Sequence, residues 1–126
     1  MQICIIGAGA WGTALAIHFA QNGQQVCLWT RDAEHAAAMR AERINSGYLK
    51  DFPFPDQLAV ADTPPPKPEL VIIATPTAGL RGSLQTLRQW GWGDIPVLTA
   101  CKGFEQGSGL LPHQVAREEL PDNPRI

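Results

Sequence analysis

Near the amino terminus, Gly7-Ala8-Gly9-Ala10-Trp11-Gly12 follows the spacing G-x-G-x-x-G. Alone this pattern is weak. Here it directly follows the β-branched run Gln2–Ile6 and opens a helical pattern, within a unit of roughly thirty residues that ends in a second strand-like run. Each glycine then has a task. Gly7 permits a tight turn, Gly9 lets a pyrophosphate approach the backbone, and Gly12 lets the following helix pack against the strand. The free N–H groups near Ala10 and Trp11, at the start of that helix, suit a phosphate anion. A dinucleotide is the ligand this arrangement predicts.

The end of the second strand decides which dinucleotide. An acidic residue there would hold the ribose hydroxyls, whereas an arginine suits a 2′-phosphate. The chain reads Trp29-Thr30-Arg31-Asp32. Arg31 takes the decisive place, and Asp32 is positioned to cap the next helix. NADP is the expected cofactor, with NAD possible. Lys102 follows a later strand, at the carboxyl edge where ligands of open α/β sheets lie. An ammonium there can hold a substrate oxygen and stabilise negative charge developing on it, and Gly103 lets the chain turn away.

The elements that must carry these groups can be read in order. Gln2–Ile6 and Gln25–Thr30 are strands, and Ala10–Gln21 is a helix with an apolar row at Trp11, Leu15 and Phe19 and a small row at Gly12, Ala16 and Ala20. The small row lets the helix lie close on a sheet. Asp32 to about Arg43 is a second helix. Asn45–Pro55 is a loop, Leu58–Ala61 and Leu70–Ala74 are strands, and the prolines at 64, 65, 66 and 68 stiffen their connection. Pro76 stands near the start of a helix with a Leu80, Leu84, Leu87 stripe. Pro96–Ala100 is the fifth strand, and Leu110–Leu120 is a helix starting near Pro112. This alternation predicts one Rossmann-type, doubly wound α/β domain over residues 1–126, with parallel strands in the order 3-2-1-4-5.

Composition narrows the partners. With 44% apolar residues and a net charge of -2, the chain suits a globular core and no nucleic acid. Its longest apolar run is too short for membrane insertion. Cys4, Cys27 and Cys101 fit neither a zinc site nor a disulfide framework, and read as small hydrophobes in a reducing cytoplasm. His18, His35 and His113 show no metal spacing; no Ser-His-Asp or paired-carboxylate pattern is present. His35 is expected on an exposed helix.

Four stretches together resemble the bacterial-type NAD(P)-dependent glycerol-3-phosphate dehydrogenases: the residues from Gly7 to Ala16, Trp29-Thr30-Arg31, Arg43–Leu49 followed by Phe52-Pro53, and Ala100-Cys101-Lys102-Gly103-Phe104-Glu105. The resemblance spans the chain. It implies that Trp11, Arg31 and Lys102 contact the cofactor, that Lys102 also contacts the substrate, and that Pro76, between Thr75 and Thr77, turns beside the nicotinamide. Tyr48 either stacks near the nicotinamide or packs. Ala10 replaces a frequent Ser, and Lys50 replaces a usual Pro. The implied reaction interconverts dihydroxyacetone phosphate and sn-glycerol 3-phosphate, a small phosphate ester, for glycerophospholipid synthesis.

The resemblance also implies a sixth strand and a helical substrate domain, carrying the catalytic base, beyond Ile126. The expectation is therefore an amino-terminal fragment, inactive alone, whose edge around Val97–Thr99 invites a homodimer. Two other readings stay open: a related Rossmann dehydrogenase such as a ketopantoate reductase, and a non-catalytic nucleotide-binding module.

Overall fold

The structure, a computed structural model, describes residues 1–126. Its elements are β1 (Gln2–Ile6), α1 (Ala10–Gln21), β2 (Gln25–Trp29), α2 (Ala33–Glu42), β3 (Leu58–Ala61), β4 (Leu70–Ile73), α3 (Thr77–Gln89), β5 (Val97–Thr99) and α4 (Pro112–Glu119). The five strands form one parallel sheet in the order β3-β2-β1-β4-β5. This is the expected order, with β1 at the centre between β2 and β4. No helix is long and apolar enough to cross a membrane.

Period-two alternation sorts the strand side chains onto two cores. Ile3 and Ile5 join Val26, Leu28, Leu58, Val60 and Ile72 beneath α1 and α2. Cys4 and Ile6 join Val71, Ile73 and Val97 beneath α3 and α4. Burial on both faces is why the strands read as nearly continuous apolar runs. The α3 stripe behaves as its spacing requires: Leu80, Leu84 and Leu87 are fully buried, each contributing about 1.5–3 kcal/mol of transfer free energy.

Helix α1 lies on the sheet by its small row, as its spacing suggested. Its deeply buried positions are the small row, Gly12, Ala16 and Ala20, with Thr13 and Ile17. Trp11 is 56% exposed, while Leu15 and Phe19 are only half-buried. The reason is distance. A Cβ placed on Gly12 would lie 1.9 Å from the Gly7 carbonyl oxygen, so the first turn of α1 sits directly on the loop. Large side chains are thereby excluded from the face that touches it.

At the far edge, β5 bonds to β4, and the carboxyl-terminal segment runs beside its start. The Val97 N–H donates to the Arg125 carbonyl (2.9 Å), and Asn123 Nδ2 donates to the Ile95 carbonyl (2.6 Å). Leu98 remains 54% exposed. Strand β5 is the sheet edge, as expected, but its first residue is covered. The cysteines form no disulfide: Cys4 is buried, and Cys27 and Cys101 are half-buried.

The Gly12 contact can be checked against a second glycine. Gly12→Ala forces α1 away from the loop and should cost about 3 kcal/mol, lowering Tm by roughly 10 °C. Gly82 lies in α3 with open space where a Cβ would go, so Gly82→Ala should be neutral or stabilise by up to ~1 kcal/mol. Thermal unfolding of both variants separates them; equal Tm changes would contradict the packing described.

Candidate functional site

Strands β1 and β4 end side by side at Ile6 and Ile73, and their chains then part to opposite faces of the sheet. The Ala74 N–H still bonds the Ile6 carbonyl (2.8 Å), and the Gly7 N–H bonds the Trp29 carbonyl (3.0 Å). Between these anchors Gly7 takes φ +112°, with room for no side chain: a Cβ would meet the Ala74 backbone at 3.0 Å. The turn therefore requires glycine on both conformational and steric grounds.

Helix α1 begins at once. Gly9 is its N-cap and supplies no side-chain cap, and the first intrahelical bond runs from the Thr13 N–H to the Gly9 carbonyl (3.1 Å). The N–H groups of Ala10, Trp11 and Gly12 consequently have no acceptor within the helix. A Cβ on Gly9 would meet nothing within 4 Å, and Gly9 lines two clefts. The donors of Ala10 and Trp11, the positive end of a helix and a bare backbone make a cradle in which an anion could sit.

The first cleft, of about 650 Å³, is lined by Gly9, Ala10, Trp11, Thr75, Pro76, Cys101 and Lys102, among others. Pro76 is the N-cap of α3 and belongs to both clefts. Lys102 is exposed, and its ammonium makes no ion pair. Its backbone is held from below, where the Thr77 hydroxyl donates to the Lys102 carbonyl. Burial pushes the Cys101 thiol above its ordinary range, so at neutral pH the cation here is not neutralised by a thiolate.

The second cleft, of about 680 Å³, runs from the cradle past Trp29, Thr30 and Arg31 to His35 and Tyr48, with Gly79, Gly82, Ser83 and Thr86 of α3 opposite. Arg31 is exposed and has no hydrogen-bond or ion-pair partner in the protein. Asp32 does what its position suggested: its carboxylate accepts from the His35 N–H (3.1 Å) and caps α2. The structure therefore gathers Gly7, Gly9, Trp11, Arg31, Pro76 and Lys102 around one continuous edge, with Arg31 and Lys102 at opposite ends. Gly12 lies under the cradle. Tyr48 stands with Arg31 and not with Lys102, its ring 6.0 Å from that of His35.

Two residues had no role assigned from sequence. Asn45 is 1% exposed in an otherwise open loop. Its Nδ2 donates to the Ala8 carbonyl (3.0 Å) and to Thr13 Oγ1 (2.9 Å), while its Oδ1 is 3.0 Å from His35 Nε2. His35 is accordingly half-buried and engaged, where an exposed position was expected. Arg81 of α3 makes a bidentate pair with Glu105 (2.9 and 2.8 Å) and also binds Glu118 and Glu119 (2.8 and 2.7 Å). It thus ties the Lys102 loop to α3 and α4. Asn45 sat inside a quoted motif, but its sequence context does not distinguish it from a loop asparagine; Arg81 lies four residues after Thr77 on one helical face, a faint signal at most.

Residues 2–126 match the family described as NAD-dependent glycerol-3-phosphate dehydrogenase, N-terminus. The chain is 52% identical over 129 residues to the glycerol-3-phosphate dehydrogenase [NAD(P)+] of Neisseria meningitidis, covering 100% of this chain and 39% of that protein. The crystal structure of glycerol-3-phosphate dehydrogenase from Coxiella burnetii superposes with a TM-score of 0.89 at 32% identity, covering 98% of this chain and 39% of that one. A probable 2-dehydropantoate 2-reductase from Bacillus subtilis is similar at 21% identity and a TM-score of 0.66, over 82% of this chain and 34% of that one; that likeness concerns the fold alone.

The Arg81 clamp gives the Lys102 loop a pH signature. Hydrogen bonds from Arg81, then from Ser108, hold the Glu105 carboxyl down to about 2. A carboxyl lowered in the folded state stabilises above its unfolded pKa, and that stability is lost as pH falls through the folded value. Tm should therefore drop as pH goes from about 5 to about 2. In Arg81→Leu the drop should be shallower, because Glu105 then titrates nearer its ordinary value. Parallel pH profiles for the two proteins would contradict the clamp.

Proposed function

Because the chain belongs to the NAD-dependent glycerol-3-phosphate dehydrogenase family, whose amino-terminal part it matches, we propose that it is the NAD(P)-binding domain of an oxidoreductase interconverting dihydroxyacetone phosphate and sn-glycerol 3-phosphate. The chain spans 39% of the length of the Neisseria relatives it matches, so the reaction is proposed for an enzyme in which this domain is one part. The observation that carries the reading is the cradle: a bare Gly9 backbone and the uncapped α1 terminus between two clefts. A pyrophosphate fits there, since its charge meets open donors and its bulk meets no side chain.

The dinucleotide would supply the hydride; the protein supplies binding, orientation and electrostatics. The N–H groups of Ala10 and Trp11 hold phosphate oxygens. Trp11 and Pro76 wall the Lys102 cleft. The Lys102 ammonium, free of protein anions, donates a hydrogen bond to the substrate oxygen and stabilises negative charge there. Holding reactants in register in such a cleft is worth up to ~7–11 kcal/mol of barrier. Arg31, Tyr48 and His35 flank the adenosine half, where the unpaired guanidinium favours a 2′-phosphate and hence NADP over NAD. The free thiols suit a cytoplasmic setting.

The specificity reading is tested by titrating the chain with NADPH and with NADH, following quenching of tryptophan fluorescence. A charge-assisted hydrogen bond contributes ~1.5–3 kcal/mol, so NADPH should bind ~10–100-fold more tightly, and Arg31→Ala should remove most of that difference. Equal affinities, or a preference surviving the substitution, would overturn the role of Arg31.

A further inference from the structure

Asn45 reaches from an exposed loop into the interior, and every donor on its side chain is used. The Ala8 carbonyl can only accept, so the nitrogen of the amide must face it, which places Oδ1 toward His35. His35 must then donate, and its ring carries a proton on Nε2. The second amide hydrogen goes to Thr13 Oγ1, whose residue is fully buried. Backbone bonds hold the loop in turn: the Asn45 carbonyl accepts from the N–H groups of Tyr48 (3.1 Å) and Leu49 (2.8 Å), and the Phe54 N–H donates to the Arg43 carbonyl (2.8 Å).

The partner that matters is Ala8, the second residue of the glycine-rich loop. Its carbonyl and the Gly9 N–H belong to one planar trans peptide, so they point in opposite directions. Anchoring the carbonyl on Asn45 turns the Gly9 N–H, which lies in the same plane across the C–N bond, away from the interior. Without the anchor, a peptide beside a bare glycine can rotate and present its carbonyl where an N–H is required. A carbonyl dipole in that place would repel a phosphate oxygen.

We propose that Asn45 is a positioning residue for pyrophosphate: it orients the Ala8–Gly9 peptide so that the cradle is formed before the dinucleotide arrives. The proposal rests on the cofactor reading given above. His35 supports it from α2 by donating a hydrogen bond from Nε2 to Oδ1 (3.0 Å), which keeps the amide from flipping.

The test compares two probes on the same protein. NADP⁺ carries the pyrophosphate; adenosine 2′-phosphate occupies only the Arg31 end. If Asn45→Ala leaves about a tenth of the molecules with the correct peptide orientation, the Kd for NADP⁺ rises about tenfold, while the Kd for adenosine 2′-phosphate stays within about twofold because Arg31 is untouched. Circular dichroism and thermal unfolding establish that the variant is folded. Asn45→Ser keeps one short donor and serves should the alanine variant not fold; it should weaken NADP⁺ in the same selective way, by less. Equal loss for both probes would assign Asn45 a merely structural role and overturn the proposal, as would unchanged affinity for both. Failure of the unsubstituted chain to bind NADP⁺ would instead overturn the cofactor reading, and the proposal with it, before any variant is compared.

Discussion

The first turn of α1 presses on the carbonyl of Gly7 with no space for a single carbon between them. That contact sets the geometry of the whole carboxyl edge. It fixes where the helix begins, immediately after a central strand, and so fixes where its unpaired N–H groups lie. It also rules out large side chains on the touching face, which is why Ala16 and Ala20 are buried and Trp11 is left outside to wall a cleft. Packing and ligand recognition are thus one constraint here. The same absence of side chains that lets the helix approach the sheet leaves a backbone that an anion can approach.

Around that cradle the charges divide into two kinds. Arg81 is saturated, bound to three carboxylates that hold it and the Lys102 loop in place. Arg31 and Lys102 are not paired with any protein group and stand at opposite ends of the site. Both line clefts at the carboxyl edge, and that placement, not the number of basic residues in a chain of net charge -2, sets them apart from Lys50 and Arg117, which also lack an ion pair.

Most of this fold could be read from local pattern because its elements are local. The G-x-G-x-x-G spacing, the Asp32 cap and the leucine stripe of α3 are each written in residues that follow one another at helical or shorter spacing. The order of the strands followed from general rules of parallel α/β connection. What could not be read depends on contacts between distant residues. Asn45 meets Ala8 across 37 positions and Arg81 meets Glu119 across 38, and no spacing rule reaches that far. The apolar row of α1 was visible, but its partial exposure follows from the close approach at Gly12, a distance that sequence periodicity does not carry. Tyr48 lies with Arg31 because the Asn45 turn carries it there, again a long-range effect.

The central claim is that the bare backbone at Gly9 is a phosphate site and not only a turn. Gly9→Val tests it most directly, since the added side chain meets no protein atom within 4 Å at its Cβ and would stand where the pyrophosphate must approach. The measurement is the rise in Tm on adding saturating NADPH, which for a ligand at about 100 times its Kd reflects roughly 2.7 kcal/mol of added stability. The account predicts that Gly9→Val keeps the unliganded Tm within a few degrees of the unsubstituted chain and shows no rise with NADPH. A variant that NADPH stabilises as strongly as the original would contradict it.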